Sequence, residues 1–261
     1  MIKLARAVLP EPTIAQLAQR TAQVSTTAVP QQATRAKSLW KGSSFRAHVY
    51  PELRRVLHEM APGLMRCMFC GDSEGTAVDH FEPVAHAPLR TFDWLNHLLA
   101  CSKCNSDYKR DRFPRSADGE PLLIDPTSDD PADHLHLVLA VGEYRGLTPR
   151  GEATIDVLEL NRAVLISGRR RVYWTTARCL AACHNAMEAM EAVESGAELA
   201  HRHEDELRRM LWEQPMADVI AAMLRQAEAP GAEDIFADDL YTLALLRNPK
   251  LRAALLGDQP D

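Results

Sequence analysis

The sequence predicts a mostly helical α+β protein with a small metal-held region in its middle. Three observations predict this fold class. Apolar residues recur at helical spacing before residue 61 and after residue 148, two Cys-x-x-Cys pairs stand 30 residues apart, and the segment between the pairs is rich in aromatic residues but has poor periodicity. A region of that kind is held together by metal more than by an apolar core.

The composition bounds the class of protein. Of the 261 residues, 46% are apolar and 25% are charged, which is ordinary for a globular chain and excludes disorder throughout. No apolar run approaches the roughly 20 residues of a membrane helix, and the start of the chain is too short in apolar residues for a secretory signal. We therefore expect a soluble, cytoplasmic protein with no membrane partner.

Charge is distributed unevenly along the chain. Residues 1–66 contain ten basic and three acidic side chains, whereas residues 116–261 contain 14 basic and 26 acidic ones, within a total charge of -6. This polarity suggests that one half meets an anion. Because an acidic chain lacks a broad basic footprint, we expect weak, salt-sensitive nucleic-acid binding by the isolated chain and a partner that supplies most of the affinity.

The N-terminal region is predicted to hold two helices. The first covers residues 13–24. The polar stretch 25–38 lacks apolar periodicity and is predicted to be a linker or arm. Pro51 stands at a first-turn position and opens a second helix that runs to Met60, after which a Pro-Gly pair ends it.

The C-terminal region, residues 121–261, is predicted to be mainly helical. Residues 134–140 alternate like a strand, and residues 142–146 have the composition of a turn. Pro149, again at a first-turn position, opens a long region in which apolar residues recur every three or four positions. We find no repeat of fixed period, so an irregular helical domain is expected.

Four cysteines form two knuckles, Cys67-x-x-Cys70 and Cys101-x-x-Cys104. Four thiolates on two such turns match the tetrahedral shell of structural Zn²⁺, and Gly71 suits the tight turn after the first pair. The alternative, merely buried or redox cysteines, is less favoured in a reducing compartment.

Polar side chains inside and just after this frame suggest hydrolytic chemistry. His80 is suited to be a general base that takes a proton from water, because an unperturbed imidazole is mostly neutral at pH 7. Asp79 and Asn105 offer hard oxygen ligands for Mg²⁺ or Mn²⁺, and Asn96 is placed to brace the intervening loop. Adjacent strand residues face opposite ways, so Asp79 and His80 share one site only if the strand ends or bends there. Alternatively, the Asp-His pair merely caps a turn.

Basic residues within and after the second knuckle are candidate phosphate contacts, and those after it are predicted to lie on a helix. They are Lys103, Lys109, Arg110 and Arg112, with Arg115 just beyond. The alternative is a solvated helix face, since Asp107 and Asp111 interrupt the run.

These residues together resemble the HNH nucleases that have a beta-beta-alpha metal fold and a four-cysteine zinc site. The segments DHFEP, FDWLNHLLACSKCNSDYKRDRFP and LIDPTSDDPADHL are similar to the HNH subunit of Septu-type antiphage systems, which also occurs beside some retrons. Val84 and His97 depart from the family, which tends to have a basic residue and Leu at those positions. The first departure bears on one phosphate contact that the family pattern implies, and it leaves the catalytic set intact.

The resemblance implies a zinc-stapled HNH core at residues 64–120, flanked by an N-terminal arm and helix at 1–63 and the helical domain at 121–261. It implies an endonuclease that cuts DNA, or an RNA such as tRNA, in bacterial antiphage defence with an ABC- or SMC-like ATPase as partner. A non-catalytic zinc-ribbon binding module and a thiol oxidoreductase using Cys67 and Cys70 are the alternatives.

Two further clusters have less defined roles. The run Arg169-Arg170-Arg171 either contacts nucleic acid or pairs with the acidic half of the chain. Cys179 and Cys183 lie on an Ala-rich helix face and are expected to be small core residues before they are a second metal site.

Overall fold

The computed structural model describes residues 1–191 and 196–256, and the chain divides into two compact units. The first unit contains Met1–Leu135 and Gly146–Leu160; the second contains residues 136–145 and the described residues from 161 onward. Helices dominate, and two small antiparallel sheets are the β component. The coarse prediction of a mostly helical α+β protein is therefore confirmed.

Four helices begin the first unit: α1 (Glu11–Ser25), α2 (Val29–Lys41), α3 (Ser43–His48) and α4 (Tyr50–Met60). Both predicted helices are present, as α1 and α4. The prediction of a linker over residues 25–38 was wrong, because α2 occupies most of it. Proline in its first turn favours the helix start, and α2 buries Gln32 and Ala36 in place of large apolar residues.

The middle of the first unit contains a two-stranded sheet. Strand β1 (Ala77–His80) pairs antiparallel with β2 (His97–Ala100), and the register sets His80 opposite His97. All four residues of β2 are buried. β1 ends at His80, and both Asp79 and His80 lie within the paired strand.

A π-helical segment, Lys103–Lys109, follows β2. The predicted helix over the basic residues was wrong beyond Lys109. Arg110 takes a positive φ of 48°, and its N–H closes the last turn onto the Asn105 carbonyl at 2.8 Å. The later arginines therefore lie on an irregular connection and not on a helix face.

Strands β3 (Leu135–Val138) and β4 (Glu143–Gly146) form the second sheet. The predicted strand is present as β3, but residues 143–146, predicted as part of a turn, form β4. The turn lies just before, where the Gly142 N–H donates to the Val138 carbonyl at 2.8 Å with Gly142 at φ 78°. α5 (Pro149–Leu158) begins where predicted, and its N-cap Thr148 side chain accepts from the Gly151 N–H.

The second unit packs helices around a buried polar cluster. Arg169 is 1% exposed; its Nε lies 3.4 Å from Asp218, and its guanidinium lies 4.4 Å from the Tyr144 ring. The helices are α6 (Ala163–Glu191), α7 (Gly196–Trp212), α8 (Asp218–Gln226), α9 (Ala232–Ile235), α10 (Leu240–Arg247) and α11 (Pro249–Leu256). Within the described ranges, no helix combines the length and apolar character needed to cross a bilayer.

Candidate functional site

The four knuckle cysteines converge on one buried point. Their Sγ atoms all lie within 4.8 Å of one another, and each residue is at most 4% exposed. The first knuckle is fixed to the end of β2 by a hydrogen bond from the Met68 N–H to the Leu99 carbonyl at 2.9 Å. The first knuckle closes with Gly71 at a positive φ of 66°, the conformation that favours glycine. The predicted grouping of the cysteines is confirmed.

The geometry of the cluster suits a tetrahedral metal. Sulfur ligands at about 2.3 Å from Zn²⁺ lie about 3.8 Å apart, and the Cys70 and Cys101 Sγ atoms are 3.9 Å apart. Burial raises the pKa of the Cys67 thiol, whereas interaction with the Cys101 thiol lowers the pKa of Cys70. Several thiolates so close together in a buried site need a cation to balance them, so the four cysteines could hold a metal such as zinc.

Among the side chains that the structure describes, Cys179 and Cys183 have no partners for a second such centre. Both are half-buried, and burial raises the pKa of the Cys183 thiol. Among the described residues, the Cys67 cluster is the one group of three or more His, Cys, Asp or Glu side chains that could share a metal ion.

Asp79 lies at the end of β1 with its carboxylate in the protein interior. It is 3% exposed, and the buried Lys109 ammonium lies 3.2 Å from Oδ1 and 3.0 Å from Oδ2. Burial raises the pKa of Asp79, and the charge of Lys109 opposes that rise. Oδ2 accepts no hydrogen bond from any described residue, although it contacts the Lys109 charge, so this carboxylate keeps ligand capacity.

His80 is oriented by a backbone carbonyl. Its Nε2 lies 3.0 Å from the Thr91 carbonyl oxygen, and Nε2 of His97 lies 2.9 Å from the same atom. A carbonyl only accepts, so each neutral ring carries its proton on Nε2. The His80 Nδ1 is therefore left unprotonated, which is the state that a general base requires.

An aromatic cluster encloses the His80 ring. The Trp40 ring from α2 lies 4.4 Å from the His80 ring and 5.2 Å from His97, centroid to centroid, and packs against Phe45 and Phe92. Burial lowers the pKa of His80 to about 3, with smaller contributions from the neighbouring His97 and Lys109. Burial likewise lowers the pKa of His97 to about 4. Both rings are neutral at physiological pH.

These lowered pKa values predict acid sensitivity of the first unit. Below pH 6.5 the unfolded chain binds protons on both histidines while the folded chain does not, so stability is complete above that pH and is lost as pH falls towards 4. The free energy of unfolding should decrease by up to about 1.4 kcal/mol per pH unit for each histidine. Chemical denaturation from pH 7.5 to 4.5 measures this slope.

His97→Leu tests the attribution. It removes one titrating ring and leaves His80 on the Thr91 carbonyl, so the slope between pH 6.5 and 4.5 should fall by about half. His48→Leu, at an exposed histidine of α3, is the matched control and should keep the parent slope. Equal slopes in all three proteins would contradict the proton-linkage explanation.

Asn96 braces the loop that joins the two strands. Its Oδ1 accepts from the Glu82 N–H at 2.8 Å, and its Nδ2 donates to the carbonyls of Glu82 and Arg90 at 3.1 and 3.0 Å. The Glu82 carboxylate also binds Arg90 at 3.0 Å and Arg115. This is the bracing position predicted for Asn96, and it holds Thr91 where His80 needs an acceptor.

Asn105 and the basic residues occupy different environments. Asn105 is half-buried on the π-helical segment, which Lys109 anchors at Asp79. Lys109 itself is fully buried, with its ammonium also donating to the His80 carbonyl at 2.7 Å. The other three basic side chains are exposed: Lys103 with Asp107 at 2.7 Å, Arg112 with Asp156, and Arg110 on the Ser106 carbonyl at 3.1 Å. Lys109 thus contacts the Asp79 carboxylate and the main chain of His80, whereas the His80 ring faces Trp40 and His97.

Three contributors were absent from the predicted set. Trp40 covers the candidate base, Thr91 orients it through the main chain, and Arg6 donates to the His97 carbonyl at 2.8 Å. The position of Trp40, just after a polar, non-periodic stretch, could have indicated that its ring is packed, because so large an apolar ring is seldom left in a solvated linker. The contact made by Thr91 could not be predicted from the sequence, because it uses the main-chain carbonyl that every residue has.

Comparison with known proteins gives one distant relative. The chain is 25% identical over 158 residues to the Septu protein PtuB of Bacillus mycoides (strain KBAB4). The matched region covers 49% of this chain and 53% of that protein. The chain thus spans about half the length of the curated relative that it matches. No protein-family model matches the sequence, and no solved structure matches it.

Proposed function

We propose that this chain is a metal-dependent endonuclease of the HNH type with its core at residues 64–120. One observation carries the proposal: His80, at the end of β1 and next in sequence to the buried Asp79, has its Nε2 held by the Thr91 carbonyl. Phosphodiester hydrolysis requires an activated water and a cation near the phosphate. The His80 Nδ1 supplies the first, because it is unprotonated and fixed in orientation.

The proposed catalytic cation would be held by oxygen ligands from Asp79 and Asn105. The chemistry of these donors fits Mg²⁺ or Mn²⁺, which prefer hard oxygens, and Asp79 retains an oxygen without a hydrogen bond. When bound, such an ion polarises the phosphate and offsets its charge. Lys109 already contacts this carboxylate, so the cation must share Asp79 with the ammonium. Lys109 then positions Asp79 and the segment carrying Asn105.

The proposed setting is bacterial antiphage defence. The Septu relative supports it, since its matched region covers about half of each chain. An ABC- or SMC-like ATPase as partner and DNA as substrate follow from the resemblance, with an RNA such as tRNA as the other polynucleotide to test. Lys103, Arg110 and Arg112 remain proposed phosphate contacts near this core.

Cleavage assays test the proposal. Purified chain, alone and with the proposed ATPase partner, is incubated with plasmid DNA and total RNA in Mg²⁺ or Mn²⁺. We expect metal-dependent cleavage of one of these substrates. No cleavage of either with partner and metal would contradict the nuclease and favour the zinc-ribbon module. A thiol oxidoreductase would instead lose activity on alkylation and lack stoichiometric zinc.

Asp79→Asn and Asn105→Ala separate metal binding from base catalysis. Both remove affinity for the catalytic ion, so cleavage at low Mg²⁺ should fall by about 10²-fold or more. Raising Mg²⁺ or supplying Mn²⁺ should restore part of the rate in each variant, whereas it should not restore a variant of the base. Metal titrations of the initial rate check this, and equal metal dependence in variants and parent would refute these ligand assignments.

A further inference from the structure

One face of α6 carries positive charge and an exposed aromatic ring within the acidic half of the chain. Residues 163–187 contain four arginines and no Asp or Glu, whereas residues 116–261 together contain 26 acidic and 14 basic side chains. Over this stretch the surface that α6 itself contributes carries positive charge and no carboxylate. Such a surface attracts anions even when the surrounding chain repels them.

The arginines of the run divide between two directions. Arg169 points into the second unit, where Nη1 donates to the Gly142 carbonyl at 3.2 Å and Nε pairs with Asp218. These contacts fix which face of α6 points into the second unit. Arg170 and Arg171 are exposed, and no carboxylate of the described residues lies within ion-pair distance of either guanidinium. The cluster predicted from sequence is thus one structural arginine followed by two that are available.

An exposed tryptophan completes this face. Ser167, Arg171, Trp174 and Arg178 follow one another at intervals of four, three and four residues, which aligns them along one side of the helix. Ser167, Arg170, Arg171 and Trp174 line an open cavity of about 300 Å³. Trp174 is 51% exposed, while its neighbour Tyr173 is 8% exposed and packs edge-on to it at 5.3 Å.

We propose that this face of α6 binds a single-stranded polynucleotide. The guanidinium groups of Arg170 and Arg171 bind successive phosphates, and the indole of Trp174 stacks on an unpaired base. Ser167 adds a hydroxyl at the cavity wall. In a duplex the base faces are stacked on one another, so an exposed aromatic ring favours single strands over duplexes. An acidic protein surface would pair with the arginines but would offer no flat base on which Trp174 could stack.

This inference rests on the proposed function in one respect, the premise that the substrate is a polynucleotide. Its test measures binding alone and does not require cleavage. Full-length protein with His80→Ala is titrated into fluorescein-labelled 20-mers of dT, of U and of a DNA duplex across a salt series. Anisotropy gives the affinity, and the dT and U strands distinguish DNA from RNA. We expect salt-dependent binding of at least one single strand, tighter than binding of the duplex.

Substitutions on the helix face then locate the site. Arg170→Ala with Arg171→Ala should weaken single-strand binding by about tenfold or more and reduce the salt slope by about 1.4, at roughly 0.7 per phosphate. Trp174→Ala should weaken it by about fivefold or more, and Trp174→Phe should retain most of the affinity. Arg209→Ala, at an exposed arginine of α7, is the matched control and should bind as the parent does. Circular dichroism melts confirm that each variant is folded.

The failures of this inference and of the nuclease are distinguishable. If the chain cleaves a polynucleotide but the Arg170, Arg171 and Trp174 variants bind strands like the parent, the α6 site is wrong and the nuclease stands. If these variants lose only association with the ATPase, the face is a protein interface and the inference is overturned. If strand binding depends on them although no cleavage is seen, the site stands without the nuclease.

Discussion

Cys67→Ser or Cys104→Ser is expected to release zinc and unfold the middle of the first unit. β1 and β2 have four residues each, and an isolated pair of strands is at best marginally stable in water. Structural zinc in small domains contributes about 10–16 kcal/mol to folding, which is as large as the whole net stability of a typical domain. Losing one of four buried thiolates removes much of that contribution. Zinc content and thermal unfolding measure the loss.

The control is Cys179→Ser, at a half-buried cysteine outside the cluster. It should keep the parent's zinc content and melt within a few degrees of it. Hydrogen exchange of β1 and β2 should increase strongly in the Cys67 and Cys104 variants and stay unchanged in the control. Full zinc content with native melting in both knuckle variants would refute the zinc assignment.

The four-cysteine cluster was predictable because its signal is local and chemical. Two Cys-x-x-Cys turns leave few ways to arrange four thiols, and the structure places all four within 4.8 Å of one another. Prolines at the starts of α4 and α5 marked those helices for an equally local reason, since the ring fixes φ at a helical value. Asn96 was identifiable because an amide beside a buried strand needs backbone partners.

Features that depend on tertiary packing escaped prediction. α2 has no apolar stripe, yet it forms because Trp40 packs on His80, His97 and Phe92 across about 40 to 60 residues of chain. The short connection at Arg110 ended a helix that charge spacing alone would have continued. The sequence also did not predict that Lys109 is buried against Asp79, because a lysine in a run of charged residues is normally expected to be exposed.

Lys109 shows how the structure changes an interpretation made from charge. An ammonium with no exposure cannot meet a polynucleotide while it binds Asp79 and the His80 carbonyl. Its position instead offsets the cost of burying the Asp79 carboxylate and ties the π-helical segment to the end of β1. Positive charge that is open to a polynucleotide lies elsewhere in the described chain, on exposed side chains such as Arg110 and Arg170.

His80→Ala is expected to abolish cleavage while leaving zinc, fold and substrate binding in place. A positioned general base contributes about 10²- to 10⁴-fold to rate, so the loss should be of that order in the rate of the chemical step. Extra Mg²⁺ or Mn²⁺ should not restore it, because the base acts on water and not on the cation. Single-turnover cleavage with bound substrate measures the effect free of any change in affinity.

Two further variants separate chemistry from packing, since the His80 ring contacts Trp40 and His97. His80→Gln keeps much of the side-chain volume and an N–H for the Thr91 carbonyl, so it should melt like the parent and still fail to cut. His86→Ala removes an exposed histidine of the same loop, whose Nε2 lies 2.8 Å from the Asp111 carbonyl, and should cut within a few-fold of the parent rate. Cleavage by His80→Ala and His80→Gln at the parent rate would show that the water is activated by another group.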